Sequence, residues 1–271
     1  MTVRTFLKTT IALSFLASGA YAETCAAGKT LTDGTLTFAT GNPAYYPWVM
    51  DDAPEAGAGY EAAVAYAVAE EMGFDKDAVT WVRTSFDEAI QPGAKSFDLN
   101  IQQFSITEER DEIVDFSESY YAAPMAILVN KAAAETAPEI DALKDVVWGG
   151  MAGTTGPTML MEVIAPAKEP LLYGDNADVV EAMKANQVDA ALFDLPTALY
   201  LSAVVLEGGA VIGQFPAERS ENPDLFGMLM EEGSALKPCV DEAITALKDS
   251  GKLAEIEAEW LQEATGVPLV E

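Results

Sequence analysis

FDLNIQQFSITEERDEIVDFS occupies residues 97–117 and combines a strand pattern with a helix start. Polar and apolar residues alternate from Asp98 to Gln102, as in a short strand. Thr107, followed by two glutamates, is typical of a helix N-cap. Such a helix start favours an anion, and Arg110 in its first turn carries a fork that matches a carboxylate. The stretch therefore predicts a receptor for a small carboxylate such as the α-carboxylate of an amino acid. The alternative is an ordinary surface ion pair between Arg110 and the acids around it.

Strand and helix patterns alternate along the rest of the chain. Alternating or short apolar runs predict strands at residues 35–40, 80–83, 125–129, 146–148, 188–193 and 211–213. Apolar residues at helical spacing, with cap and stop residues, predict helices at 61–72, 158–164 and 176–185 and a further helix start at residue 85. An acidic loop is expected at 135–141. The alternation favours an α/β fold with mostly parallel sheets and helices on both faces.

Polar or aromatic clusters follow four of the predicted strands. Ligands of open α/β sheets bind at the carboxyl ends of the strands, so a cleft between two lobes would bring these clusters together. Within the loop after the first strand, Tyr45 is expected in the pocket and Trp48 in the core of its lobe. The clusters are Asn42 with Tyr45, residues 102–105 with Arg110, Thr154 with Thr155, and Asp194, for which a simple N-cap role is the alternative.

The composition excludes several classes of function. Acidic residues number 44 and basic residues 15, and the resulting formal net charge of −29 repels nucleic acid and anionic lipid surfaces. The chain has no His and no Cys-x-x-Cys motif, which removes imidazole-based catalysis and thiolate zinc sites. No nucleic-acid partner, metal, cofactor or catalytic residue is predicted.

The N-terminal residues have the three parts of a secretory signal. Arg4 and Lys8 supply the charge, residues 11–17 the apolar core, and Ala20-Tyr21-Ala22 the cleavage site. We therefore expect a signal peptide at residues 1–22 and an exported, soluble mature protein without a membrane span.

Two cysteines follow the predicted cleavage site. In an oxidising compartment, Cys25 and Cys239 are predicted to form one disulfide between the mature N-terminus and the C-terminal region. Two buried free thiols are the alternative.

The motifs around Arg110 resemble those of a known protein family. Residues 103–110 (QFSITEER), with VDFS at 114–117 and Tyr120-Tyr121, are similar to the signature S-x-x-S-I-T-x-x-R … V-D-F-S-x-x-Y-Y of solute-binding protein family 3. These proteins are the periplasmic polar amino-acid-binding components of ABC importers. Residues 153–155 resemble the Gly-Thr-Thr/Ser element of the family, and 188–194 resemble its V-D-A-x-x-x-D element. The match spans about the whole mature chain in the order of the family.

The resemblance implies a two-lobed type II periplasmic binding protein, in which each lobe is a mostly parallel sheet flanked by helices. Two crossover segments would form the hinge on which the lobes close over a ligand. The implied division gives residues 23–121 to lobe 1, 122–222 to lobe 2, and 223–271 to a segment that returns to lobe 1.

The resemblance also assigns ligand-binding roles to individual residues. Arg110 would hold the carboxylate of the ligand with help from Ser105 and Thr155, and Asp194 would hold its ammonium group. Tyr45 occupies a position where the family stacks an aromatic ring on the ligand. The other expected contacts are Asn42, Tyr60 (a second stacking ring), Gln102, Gln103, Phe104 and Thr154.

The predicted function is capture of a polar, neutral L-amino acid in the periplasm by a monomer that delivers it to a membrane ABC permease. Asn42, Gln102 and Gln103 offer amides to a neutral polar side chain. No clear basic residue is present for an acidic one. The chain is not expected to be an enzyme.

Two other functions remain as alternatives. Some secreted cyclohexadienyl or arogenate dehydratases resemble this family, and such an enzyme needs a general acid, for which Glu162, Glu181 and Asp194 are available. A sensing domain of a receptor is disfavoured, because no membrane span or effector domain precedes the end of the chain at Glu271.

Overall fold

The structure, a computed structural model, describes residues 25–217, 223–261 and 266–270, so the predicted signal peptide lies outside the described residues. The strands are β1 (Leu36–Thr40), β2 (Val79–Arg83), β3 (Leu99–Asn100), β4 (Val114–Phe116), β5 (Tyr121–Ala123), β6 (Met125–Val129), β7 (Trp148–Met151), β8 (Leu171–Tyr173), β9 (Ala190–Asp194), β10 (Ala210–Phe215), β11 (Asp224–Phe226) and β12 (Leu229–Glu231). The α-helices are α1 (Tyr60–Glu71), α2 (Phe86–Ile90), α3 (Glu108–Asp111), α4 (Ile140–Leu143), α5 (Thr155–Met159), α6 (Asn176–Lys184), α7 (Leu195–Tyr200), α8 (Lys237–Asp249) and α9 (Lys252–Trp260). Two π-helical turns, Leu160–Ile164 and Leu201–Val205, continue α5 and α7.

The first lobe is built on a five-stranded sheet with the order β2-β1-β3-β12-β4. β1 pairs in parallel with β2 and β3, whereas β12 runs antiparallel to both β3 and β4. Four strands therefore share one direction, which confirms a mostly parallel sheet. The antiparallel strand belongs to the last part of the chain, and it lies between two strands of the first part.

The second lobe repeats this plan with the order β10-β6-β9-β7-β8. β7 is parallel to β8 and β9, and β6 is antiparallel to its neighbours β9 and β10. β6 lies in the second sheet, within the residues 122–222 that the resemblance assigns to lobe 2. β5 carries the chain across to the other sheet before β6 begins, so β6 enters the second sheet in the opposite direction.

Two crossover segments join the lobes. β5 follows the first sheet and β11 follows the second, and the two pair as an antiparallel ribbon in which Tyr121 lies opposite Phe226. β5 and β11 thus give two connections between the lobes, as expected for a hinged two-lobed protein. We retain 121/122 and 222/223 as proposed lobe boundaries, since they lie next to these two strands.

Residues 268–270, which follow α9, lie along β10 of the second sheet, where Leu269 forms a β-bridge with Gln214. The expected return segment 223–271 is corrected at its end, because Val267 and Val270 pack against the core of the second lobe.

The core of the first lobe forms where α1, α8 and α9 cover one face of the sheet. The buried side of α1 carries Val64 and Val68, and it packs against the two C-terminal helices. Gly59 precedes α1 with a φ of +101°, and a Cβ atom there would lie 2.5 Å from the carbonyl oxygen of Trp48. Glycine at this position therefore lets the Trp48 loop pack directly against the start of α1.

A disulfide joins Cys25 to Cys239 in α8, with the two Cα atoms 5.7 Å apart. The predicted pairing is confirmed, and neither cysteine is a free thiol. The bridge fastens the start of the described chain to the core helix of the first lobe.

Local cap chemistry follows the sequence closely. The hydroxyl of Ser85 accepts from the backbone N–H of Glu88, and that of Thr107 accepts from the N–H of Arg110, as predicted for two helix starts. The expected acidic loop at 135–141 instead runs into α4, whose first residue is Ile140.

Within the described ranges, no helix is both long enough and apolar enough to cross a bilayer.

Candidate functional site

A cleft of about 460 Å³ lies between the two lobes, at the carboxyl ends of β1, β3, β7 and β9. Both sheets contribute polar loops to it, in agreement with the expected binding edge of α/β sheets. The predicted site residues that line the cleft are Asn42, Tyr45, Gln102, Gln103, Ser105, Arg110, Thr154, Thr155 and Asp194.

Arg110 is the buried cation of the cleft. It lies in the first turn of α3, is 8% exposed, and has its guanidinium 5.3 Å from the ring centroid of Phe86. Nη1 donates to the carbonyl of Ser105 at 2.7 Å, and Nη2 donates to the carbonyl of Gly153 in the second lobe at 2.8 Å. Burial lowers the pKa of Arg110, whereas the negative charge of Asp224 opposes that shift. The position and orientation of this guanidinium are therefore fixed from both lobes.

Three oxygen-bearing side chains lie beside Arg110. The hydroxyls of Ser105 and Thr155 are 3.4 Å apart, although they belong to different lobes. Thr155 also donates to Asp224 at 3.1 Å, and Ser105 hydrogen-bonds to the same carboxylate. Burial raises the pKa of Asp224, and these two hydrogen bonds together with Arg110 counteract the rise.

Asp194 lies at the end of β9 and caps α7. Its carboxylate accepts from the backbone N–H of Thr197 at 2.8 Å, which confirms the expected N-cap role. The residue also lines the cleft. Burial raises the pKa of Asp194 to about 6, and the charge of Asp224 adds to the rise. The cap and the cleft-lining position coexist, because the cap leaves other lone pairs of the carboxylate available.

Gln103 lines the cleft with a backbone φ of +52°, in the left-handed region. Glu61 in α1 holds this conformation: the Gln103 N–H donates to the Glu61 carboxylate at 2.8 Å, and the Gln103 side-chain amide donates to its other oxygen. The hydroxyl of Tyr120 donates to the same carboxylate. Burial raises the pKa of Glu61 to about 7, while the three donors counteract the rise.

Aromatic residues of the loop after β1 reach the opposite lobe. The Tyr45 hydroxyl lies 3.5 Å from Asp175 Oδ1, and the rings of Tyr46 and Tyr200 are 4.7 Å apart. Tyr45 remains 41% exposed and lines the cleft, as the sequence predicts. These contacts join the two lobes across the cleft.

Trp48 lies both in the core of the first lobe and at the wall of the cleft. Its ring is buried in the first lobe, as predicted, but its indole edge lines the cleft and donates to the hydroxyl of Thr197 at 2.8 Å.

Two predicted site residues lie elsewhere. Tyr60 is fully buried in the core of the first lobe, where its hydroxyl donates to the carbonyl of Tyr120 at 2.9 Å. Phe104 is also fully buried and stacks on Phe86 with ring centroids 4.5 Å apart. The structure therefore corrects both expectations: these rings support the walls of the cleft from behind and are not among its lining residues.

Several lining residues lack a local sequence signal. One of them is Asp224, which does not follow any predicted strand. It is the first residue of β11, in the second crossover segment. The acidic lining also reaches beyond the predicted set. Among the described residues, five acidic and two basic ones line the cleft. The acidic residues are Asp87, Asp175, Glu181, Asp194 and Asp224, and the basic ones are Arg110 and Lys184. In the part of the chain that the structure describes, no group of three or more potential ligands forms a metal site.

Comparison with known proteins identifies a family whose sequence profile this chain matches. The sequence profile of the bacterial extracellular solute-binding proteins, family 3, matches residues 36–263. The L-arginine-binding protein of Pseudomonas aeruginosa is 27% identical over 237 residues, which are 83% of this chain and 90% of that protein.

Solved structures give the same result. An ancestral arginine-binding protein bound to arginine superposes with a TM-score of 0.69 at 26% identity, covering 84% of this chain and 99% of the other. The structure of an ancestral arginine-binding protein bound to glutamine gives a TM-score of 0.69 at 26% identity, with 84% and 98% covered.

Proposed function

The chain belongs to the bacterial extracellular solute-binding proteins, family 3, and on this premise we propose that it captures an L-amino acid in the cleft between its lobes. The captured amino acid is then delivered to a membrane ABC permease, which the closed protein docks with transiently. The protein acts as a periplasmic monomer. Its curated relative reported above is itself named as a binding protein, in line with a role that involves no catalysis.

One observation carries the proposal: Arg110 and Asp194 line the same cleft from opposite lobes. A zwitterion in a closed cleft needs a cation at one end and an anion at the other, because a buried charge without a partner costs several kcal/mol. Arg110 supplies a fixed fork for a carboxylate, and Asp194 supplies an acceptor for an ammonium group. Binding between them would hold the lobes together, which is the closure that the family uses.

The side chain of the ligand is proposed to be polar and neutral. Asn42, Gln102 and Gln103 line the cleft, and two of them, Asn42 and Gln102, have side-chain amides that Glu61 does not bind. The similarity to an ancestral arginine-binding protein bound to glutamine supports a ligand with an amide side chain.

A cationic side chain is the second candidate. Asp87, Asp175 and Glu181 line the same cleft and give it a negative lining. Opposite charges in a partly buried site attract over several ångströms. The arginine-binding relatives are consistent with this candidate.

A thermal-shift panel of the twenty L-amino acids tests the proposal. The mature protein is first unfolded and refolded, which removes any co-purified solute. A ligand at ~100 times its Kd should raise the stability by ~2.7 kcal/mol. Stabilisation by glutamine, asparagine or serine supports the neutral side chain, and stabilisation by arginine or lysine supports the cationic one.

The variant Arg110→Ala is the control for the mode of binding. It should abolish the shift, since it removes the carboxylate partner and leaves Asp194 in place. Failure of all twenty amino acids to stabilise the wild type would contradict the proposed function, and an unchanged shift in Arg110→Ala would contradict the assigned carboxylate partner.

A further inference from the structure

Asp224 lies where the carboxylate of a ligand is expected. The residues that the family resemblance assigns to a ligand carboxylate are Arg110, Ser105 and Thr155, and all three face Asp224. Thr155 donates to its Oδ2 atom at 3.1 Å, Ser105 hydrogen-bonds to it, and the charge of Arg110 acts on it. The chain therefore places a carboxylate of its own at this end of the cleft.

The backbone fixes Asp224 in this position. Asp224 begins β11 and lies opposite Ala123 of β5 in the crossover ribbon. Two residues further on, Phe226 forms a β-bridge with Ser105, and the carbonyl of Leu225 accepts from the N–H of Ile106 at 2.8 Å. The segment that carries Asp224 is thus attached to the same loop that supplies Ser105.

Counting charges at this end of the cleft gives an excess of negative charge. Arg110 brings one positive charge, and Asp194 and Asp224 bring two negative charges. The negative charge of Asp224 contributes to the raised pKa of Asp194. In the described part of the chain, no ion pair of 4.0 Å or less joins Arg110 to either acid. A zwitterionic head group adds no net charge and leaves one acid without a partner, whereas a head group with one positive charge balances the set.

We propose that Asp224 is a specificity-determining residue of the cleft: it competes with a ligand carboxylate for Arg110, Ser105 and Thr155, so that the cleft accepts amino compounds with a cationic head group, such as α-carboxamides, as well as amino acids. The inference rests on the proposed function, because it places the amino group of the ligand at Asp194. A carboxylate near Arg110 meets the repulsion of Asp224, and an amide at the same position donates to Asp224 through its NH₂ group. The amino group binds in the same way in both cases.

Calorimetric titration of two matched pairs of compounds tests this role. The pairs are L-glutamine with L-glutaminamide and L-arginine with L-argininamide, so that each pair differs only in the carboxylate. Titration at pH 7.0 keeps most of an α-amino group with an ordinary pKa of about 7.7–8.0 protonated. The proteins are the wild type, Asp224→Asn, and Asp77→Asn, in which the same substitution removes an acid that is exposed far from the cleft.

In the wild type, the amide of at least one pair should bind as tightly as the acid or more tightly. Asp224→Asn should tighten binding of the acid by about tenfold or more, as expected for the loss of a close like charge, and should not tighten binding of the amide. Asp77→Asn should leave the ratio of the two affinities unchanged. An acid that binds more tightly than its amide in the wild type, with the same ratio in Asp224→Asn, overturns the proposal.

The two proposals fail in different ways. If the amides bind to the wild type and no amino acid does, the role of Asp224 stands and the proposed amino-acid ligand falls. If neither class binds to the wild type or to Asp224→Asn, both fall. If Asp224→Asn does not fold, the comparison of acid and amide in the wild type decides.

Discussion

The indole Nε1 of Trp48 donates to the hydroxyl of Thr197 across the cleft at 2.8 Å. Trp48 packs edge-on against Tyr60 in the core of the first lobe, with ring centroids 5.8 Å apart, so it is rigidly held. Thr197 lies in the first turn of α7, and its N–H is the one that Asp194 caps. One hydrogen bond thus connects the core of the first lobe to the helix start that carries the proposed ammonium partner.

Loss of this hydrogen bond should weaken closure. Thr197→Val keeps the shape of the side chain and removes the acceptor, which leaves the buried indole N–H of Trp48 without its partner. A bond of this type is worth about 1 kcal/mol, so amino-acid affinity should fall by roughly fivefold. Titration calorimetry measures the affinity, and small-angle scattering measures the shift toward open molecules. Thr245→Val on the exposed side of α8 is the matched control, and an equal loss in both variants would contradict this link.

Glu61 should make stability depend on pH. Its pKa is raised from 4.5 to about 7 in the folded protein, so the folded state binds more protons than the unfolded state between these values. The stabilisation from this group is therefore complete below pH 4.5 and is lost as the pH rises toward 7.

Urea unfolding between pH 4.5 and 8 tests this dependence in the wild type and in Glu61→Gln. The variant cannot take up the proton, so its stability should fall less steeply with rising pH than that of the wild type. Glu70→Gln, at an exposed position of the same helix, should keep the wild-type slope. Parallel slopes in Glu61→Gln and the wild type would show that Glu61 does not titrate in this range.

Tyr45 and Tyr60 should respond differently to substitution. Tyr60→Phe removes a buried hydrogen bond to the Tyr120 carbonyl and should cost about 1 kcal/mol of stability with little effect on ligand affinity. Tyr45→Ala removes a cleft-lining ring and should weaken ligand binding with little effect on stability. Thermal unfolding and calorimetry on both variants separate the two effects. A loss of affinity in Tyr60→Phe alone would restore Tyr60 to the ligand site.

The disulfide should contribute substantially to stability. Cys25 and Cys239 are 214 positions apart, and a bridge that closes so long a loop restricts the unfolded chain. Reduction should lower the free energy of unfolding by about 2–5 kcal/mol. The check is thermal unfolding with and without dithiothreitol, and the double variant Cys25→Ser/Cys239→Ser should be insensitive to the reductant. An unchanged transition in the reduced wild type would contradict the expectation.

Local chemistry explains what the sequence predicts correctly. Helix starts at Ser85 and Thr107 follow from side chains that cap their own backbone, and such contacts need only three residues of chain. The cleft position of Arg110 follows in the same way, since a strand that runs into a helix carries that residue to the sheet edge. The disulfide required only two cysteines and an oxidising compartment.

Long-range packing explains what the sequence does not predict. Phe104 is buried because Phe86 of α2 stacks on it, and Tyr60 is buried among the rings of Trp48, Tyr120 and Tyr121. Asp224 reaches Arg110 only through the pairing of β11 with β5 and with the Ser105 loop. Local periodicity and residue spacing do not predict these contacts, because each contact depends on residues that are far away in the chain.

The insertion of β12 between β3 and β4 also sets an order of assembly. Strands β6 to β10 lie in one uninterrupted part of the chain, so the second sheet can form as soon as residue 215 is available. The first sheet stays split into two separate pieces until residues 229–231 arrive to bridge them. Because contacts that are distant in sequence form late, the sheet of β6 to β10 is the natural starting point of folding after export, and the sheet of the first lobe forms after it.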